Sequence, residues 1–265
     1  MKRVKIIVAY DGTNYCGWQV QPNGITIESV LNHHLSELLG EEIHVIGASR
    51  TDSGVHAAGN VAVFDTSARM PAERISYALN TRLPQDIRIQ DSCEVPSDFH
   101  PRFQRTVKTY EYRICSRKFP DPCSRLYSLF YYWELDVEQM KKAAAYLVGE
   151  HDFTSFCTKK EEVTNCVRTI YSLDIEKTGD QIVIRIRGNG FLYNMVRIIT
   201  GTLLRVGGGL IKPEQIPEIL AARDRSAAAE TASTHTLHTR QKAPENKDTH
   251  EAPRVPDISF PAPPL

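Results

Sequence analysis

The chain has 265 residues, 41% of them hydrophobic, enough apolar material for one large core or two smaller ones. Its 32 basic and 32 acidic side chains cancel, which excludes a surface that holds polyanions everywhere but leaves room for a local basic strip. No stretch approaches the roughly 20 apolar residues of a membrane helix, and the six cysteines lack C-x-x-C or zinc spacing. A soluble cytoplasmic protein with reduced thiols and no metal is therefore expected.

In chain order, the β-branched run at 5–10 closes on Asp11-Gly12, a strand followed by a turn. The segment 14–23 mixes Tyr15, Trp18 and Pro22 with Gln19 and Gln21, a composition that suits base contact and suits ordinary packing more often. From Thr26 the apolar positions Ile27, Val30, Leu31, Leu35, Leu38 and Leu39 follow helical spacing, with Thr26 as N-cap and Gly40 as the stop. His33 and His34 in that helix read as solvent-side or packing residues. A strand at 43–48 leads into SRTDSGVHA at 49–57, a loop before the next strand at 59–65. Asp52 sits at its tip. Arg50 lies two residues earlier on the same side of an extended chain, where a cation favours the ionised carboxylate. Gly54 has no Cβ and would let a bulky partner approach the backbone. An isolated Arg-x-Asp is usually a surface ion pair of little worth, so this loop gains weight only from the rest of the chain. A helix from Pro71 to Leu83 and a strand at 87–95 complete the first half.

Between 96 and 118, Arg102, Arg105, Lys108, Arg113, Arg117 and Lys118 face only Asp98 and Glu111, with Phe99, Phe103, Tyr110 and Tyr112 interspersed. Charge for phosphate and rings for bases is what single-stranded nucleic acid binding needs; a solvated strand with alternating faces would read the same way. The second half then repeats the plan. An aromatic strand at 129–135 precedes a helix at 137–147 opened by Asp136 and Gln139, and two strands at 168–176 and 181–188 follow. A helix over 192–204 buries Met195, Ile198, Ile199, Thr202 and Leu203 and leaves Arg197 free to face a cleft. GNG at 188–190 is an incomplete phosphate-loop pattern, better explained as a tight turn. A last helix spans 213–222. After Arg225 the composition turns to Ala, Thr, His, Pro and charge, so 226–265 is expected to be largely disordered, His235 and His238 with it.

Taken together, YDGTNYCGWQVQP at 10–22, SRTDSGVHA at 49–57, KTYEYRI at 108–114, LVGEHDFTSF at 147–156 and GNGFLYNMVRIITGTL at 188–203 resemble the tRNA pseudouridine synthase A family, from the N-terminus to about Arg225. The resemblance implies an α+β pseudouridine synthase fold: two similar β/α halves, 1–100 and 101–225, with antiparallel sheets meeting at a central cleft. It implies isomerisation of uridine to pseudouridine in the anticodon arm of tRNA, at family positions 38, 39 and 40, by a homodimer without cofactor or metal. It places Asp52 as the catalytic carboxylate, Arg50 as the arginine that helps extrude the uridine, Tyr110 as the ring that stacks on it, and Arg197 as the basic partner of the aspartate.

Family members end in a further apolar strand. Here Glu230-Thr231-Ala232-Ser233 and Leu237 echo its approach, but the apolar pattern of a strand does not follow. That predicts a sheet one strand short, lower stability, and as an alternative function an RNA-binding remnant with weak or no catalysis. A metal-dependent nuclease built on Asp52 lacks the second carboxylate cluster it would need.

Overall fold

The computed structural model describes residues 1–103, 107–158, 165–234 and 236–242, the last three by backbone only. In chain order the elements are β1 (Lys2–Tyr10), α1 (Ile27–Leu39), β2 (Ile46–Gly47), β3 (His56–Thr66), α2 (Ala72–Asn80), β4 (Ile87–Val95), β5 (Val107–Ser116) and β6 (Leu129–Tyr131). They continue with α3 (Val137–Ala145), β7 (Gly149–Asp152), β8 (Val167–Thr178), β9 (Gln181–Gly188), α4 (Met195–Gly207), α5 (Ile216–Ala222) and β10 (Leu237–Lys242). The fold is mixed α and β, and its sheet is mostly antiparallel.

Local signals act as the sequence predicts at the helix ends. The Thr26 hydroxyl accepts from the Ser29 amide, and Gly40 ends α1 in the left-handed region at φ 71°. Asp136 caps α3 through the Gln139 amide. Two strands are shorter than their apolar runs. Only Ile46–Gly47 of 43–48 pairs, and Tyr132 and Trp133 lie past the end of β6, exposed.

The strands form one sheet in the order β4-β1-β3-β10-β5-β9-β8-β7, with β2 on β3 and β6 on β5. The core is divided in two. One cluster joins β1, α1, α2 and β4 around Ile6, Trp18, Leu31, Phe64 and Leu79. The other joins α3, α4, β5 and β9 around Tyr112, Met140, Ile184, Ile198 and Leu203.

The expectation that the sheet lacks its last strand is overturned. β10 runs parallel to β3 (His238 opposite His56) and antiparallel to β5 (Thr239 opposite Tyr110), so it welds the sheets of the two halves into one. Residues 226–234 and 236–242 are part of the fold rather than a solvated tail: Ala232 and Leu237 are buried in the second cluster. A strand paired on both edges gains its ladder from its neighbours and needs little apolar alternation of its own. His238 is buried too, its ring stacked on His56 at 4.8 Å. His235 and 243–265 lie outside the described residues.

Burial, with His56 and Arg113 adding to it, pushes the His238 imidazole down from its ordinary 6.5 to about 4. Between those values the unfolded chain takes up a proton that the folded chain refuses, so stability falls as pH drops through that window. We expect a loss of roughly 2–3 kcal/mol between pH 7 and pH 4 from this group. Urea titrations across that range should show it, and His238→Gln should flatten the slope.

Candidate active site

The loop between β2 and β3 is held by its backbone. The Ala48 amide donates to Val61 O (2.8 Å), and Asn60 Nδ2 to Ser49 O (3.0 Å). From the other side the segment after β1 supports it. The Trp18 amide donates to Thr51 O (3.1 Å), Ser53 Oγ and the Gly54 amide donate to Tyr15 O, and Tyr10 shares a 2.7 Å hydrogen bond with the Thr51 hydroxyl. Gly17 is required here: at φ 83° its missing Cβ would stand 2.4 Å from Thr51 O. Tyr15 and Trp18 are thus buried packing residues that fix the loop, and Gly54, at φ 79°, closes the turn that follows Asp52.

Asp52 comes to face α4. Arg197 Nη1 stands 3.8 Å from Asp52 Oδ2, with the carboxylate side chain 36% exposed and the guanidinium 18%. This pair is open to solvent on the carboxylate side and anchored on the other. Arg197 Nε donates to Ala232 O (2.7 Å) and Nη1 to Asn194 Oδ1 (2.8 Å), while the Ala232 amide returns a bond to Arg197 O (3.1 Å). Charge-assisted bonds of this kind fix a guanidinium far better than a solvent-exposed ion pair does.

Tyr110, on β5, is half-buried with its ring edge-on to Phe191 at 4.9 Å. Burial, and then the nearby negative charge of Asp52, push its phenol up to about 12, so it presents a neutral ring and hydroxyl. Asp52, Arg197 and Tyr110 therefore meet in one place, brought there from β2–β3, α4 and β5. Arg50 is exposed, and Arg197, from α4, is a cation paired with Asp52. Among the described residues, the cluster of metal-type ligands is His33, His34 and Glu37 on α1, none of them in the Asp52 loop.

Two features of the site escaped the sequence reading. Ala232 contributes a main-chain carbonyl, which has no signature in a sequence. Asn194 precedes α4 in the left-handed region at φ 60°, a costly conformation for a residue with a Cβ. Both ends of its amide are used, Oδ1 by Arg197 and Nδ2 on the Thr158 hydroxyl at 3.1 Å. The signal was there in GNGFLYNMVR, as an Asn where a helix begins. Asn194→Gly relaxes the backbone but frees Arg197 on one side. We expect kcat to fall by about 10-fold to 100-fold with Tm unchanged or raised, whereas Asn194→Ala should lower both. Paired kinetic and melting measurements check this.

A carboxylate with an anchored cation and an aromatic face nearby is an arrangement suited to acid–base or nucleophilic chemistry on a bound ring. The match to protein families is specific. The model of the tRNA pseudouridine synthase family covers residues 6–104 and 143–241, and the chain belongs to that family. Named relatives called tRNA pseudouridine synthase A include that of Thermoanaerobacter sp. (strain X514), 48% identical over 90% of this chain and 98% of its own. Those of Brevibacillus brevis (48%, 89% of this chain, 97% of its own) and Bacillus subtilis (47%, 89% and 96%) are similar. The match extends to residue 241, past the point at which the motifs stop being recognisable, in agreement with β10. A solved archaeal Nop10-Cbf5 complex aligns at a TM-score of 0.35 and 12% identity over 89% of this chain and 47% of that one, a score that adds nothing to the assignment.

Proposed function

We propose that the chain isomerises uridine to pseudouridine in the anticodon arm of tRNA, at positions 38, 39 and 40, with Asp52 as the catalytic group. The observation that carries this is the Asp52 carboxylate held beside Arg197, with Tyr110 near enough to feel its charge. Uridine reaches such a carboxylate only when it leaves its stack, at a cost of a few kcal/mol offset by a new aromatic face and by arginine contacts. Tyr110 supplies the face. Arg50, exposed in the loop, is the cation we assign to fill the space the base leaves.

The C1′–N1 bond breaks, the freed uracil turns within the pocket, and C5 bonds to C1′. C5 then loses its proton and N1 gains one, so the atoms balance with no redox change and no cofactor is called for. Ionised Asp52 can begin this by attack on C1′ or C6, or by taking the C2′ proton. Arg197 keeps the carboxylate charged when RNA closes the cleft and burial would otherwise favour its neutral form. The RNA-binding remnant rested on a missing strand, and that strand is present. A homodimer contacting one tRNA, working in the cytoplasm, with residues 1–100 and 101–225 as its two halves, completes the reading.

The experiment is tritium release from tRNA labelled at uridine C5. Release without added metal or cofactor, accompanied by pseudouridine in the digested RNA, supports the proposal, and a protein that binds tRNA and releases none refutes it.

A further inference from the structure

Three cations outside the Asp52–Arg197 pair converge beside the same cleft. Lys108 lies on β5 two residues before Tyr110, so both side chains leave the same face of the strand, about 7 Å apart along it. Arg102 comes from the segment before β5, and its Nε is tied to Gly47 O of β2 at 2.9 Å, two residues before the Asp52 loop begins. Arg168 comes from β8, with its Nη1 on Asn165 O and Val167 O and its shaft running past Gly190, next to the Phe191 that touches Tyr110.

The sheet brings two of them together: Lys108 stands opposite Gly188 of β9, itself opposite Ile170 of β8, two residues past Arg168. Half-burial, then the charges of Arg102 and Arg168, push the Lys108 ammonium down from its ordinary value, and among the described residues no carboxylate counters them. Among the described residues the Lys108 ammonium has neither a hydrogen bond nor an ion pair, and neither arginine has an acidic partner. Cations gathered without an anion cost free energy, which a bound anion returns as charge-assisted hydrogen bonds. Lysine and arginine donors left open on a partly desolvated wall, one step along a strand from a stacking ring, fit a phosphodiester better than any uncharged group.

We propose that Lys108, Arg102 and Arg168 form a seat for a single backbone phosphate of the RNA, the one adjoining the nucleotide extruded onto Tyr110. The seat draws on both halves of the chain, Arg102 being fastened to β2 and the other two rising from β5 and β8. It holds the sugar-phosphate chain while the base turns, so it positions the nucleotide and does no chemistry itself. The inference rests on the RNA-directed function proposed above.

The test uses the full chain and an anticodon stem-loop RNA, with affinity measured over a salt series. Lys108→Gln should weaken binding by about tenfold and reduce the slope of log K against log salt by about 0.7 to 1, and Lys108→Arg should restore most of both. Arg168→Gln, at a half-exposed side chain, gives the same readout should the lysine variant fold poorly. A methylphosphonate, which is uncharged, is then placed at each phosphate around the target uridine in turn. At one position the substitution should weaken wild type by about the same factor yet leave Lys108→Gln no weaker. An unchanged salt slope overturns the seat, as do losses that multiply at every position, since the charges would then act diffusely. Tritium release by the wild type keeps the two failures apart. Release without the coupled loss refutes the seat alone. The coupled loss without release leaves the seat standing on an RNA binder and refutes the isomerase.

Discussion

Asp52→Asn is expected to cut tritium release by roughly 10⁴-fold or more while leaving tRNA affinity within about threefold of wild type. The substitution keeps the shape and one accepting oxygen and replaces the other, ionised oxygen with an uncharged NH2 donor. Two aspects of the structure make it a clean test. The loop is set by main-chain bonds, Trp18 to Thr51 and Asn60 to Ser49, and by the Tyr10–Thr51 pair, none of which uses the carboxylate. Arg197 keeps its bonds to Ala232 O and Asn194 Oδ1 whether or not Asp52 is charged. Removing a negative charge from a cleft that receives a polyanion also works against any loss of binding, so affinity should hold or rise slightly. An internal readout accompanies the kinetics: with the Asp52 charge gone, the Tyr110 phenol should titrate lower than in wild type, burial alone now holding it up. Turnover within tenfold of wild type would remove Asp52 from the chemistry.

How much of this was legible in the sequence depends on which force sets each part. The strands β1 and β4 and the helix α1 were readable because one face of each is buried, and the apolar period records it. Asp52 and Arg197 were paired by the family resemblance alone: spacing could not join them across 145 positions, a distance that the sheet closes. Arg50 shows the limit of local reasoning. Spacing put it on the side of Asp52, whereas Arg197, a cation found beside the carboxylate, comes from α4. The largest miss, β10, is instructive for the same reason. THTLHTRQK carries one aliphatic side chain, Leu237, and its other side chains that are described are half-buried Thr234 and buried Thr236, His238 and Thr239. A strand flanked on both sides is specified by the hydrogen bonds it completes, and periodicity does not record those.

That role makes β10 the most sensitive structural element outside the core. Thr239 stands between Ala57 of β3 and Tyr110 of β5, one residue past the His238–His56 stack. Thr239→Pro removes a ladder donor and forces a fixed φ on a strand with a neighbour on each side, where proline is normally excluded. We expect a loss of about 3 kcal/mol or more, a Tm lowered by roughly 6–12 °C, and reduced solubility as β3 and β5 expose unpaired edges. Catalysis should fall further than stability explains, because Tyr110 lies opposite the altered residue and the Ala232 carbonyl that anchors Arg197 lies on the approach to the strand. Thr239→Val, which keeps the amide and suits a strand, should melt within about 2 °C of wild type and retain turnover. If the proline variant melts like wild type, β10 does not sit between the two sheets. The anchoring of Arg197, and with it the geometry of the Asp52 pair, would then need another source.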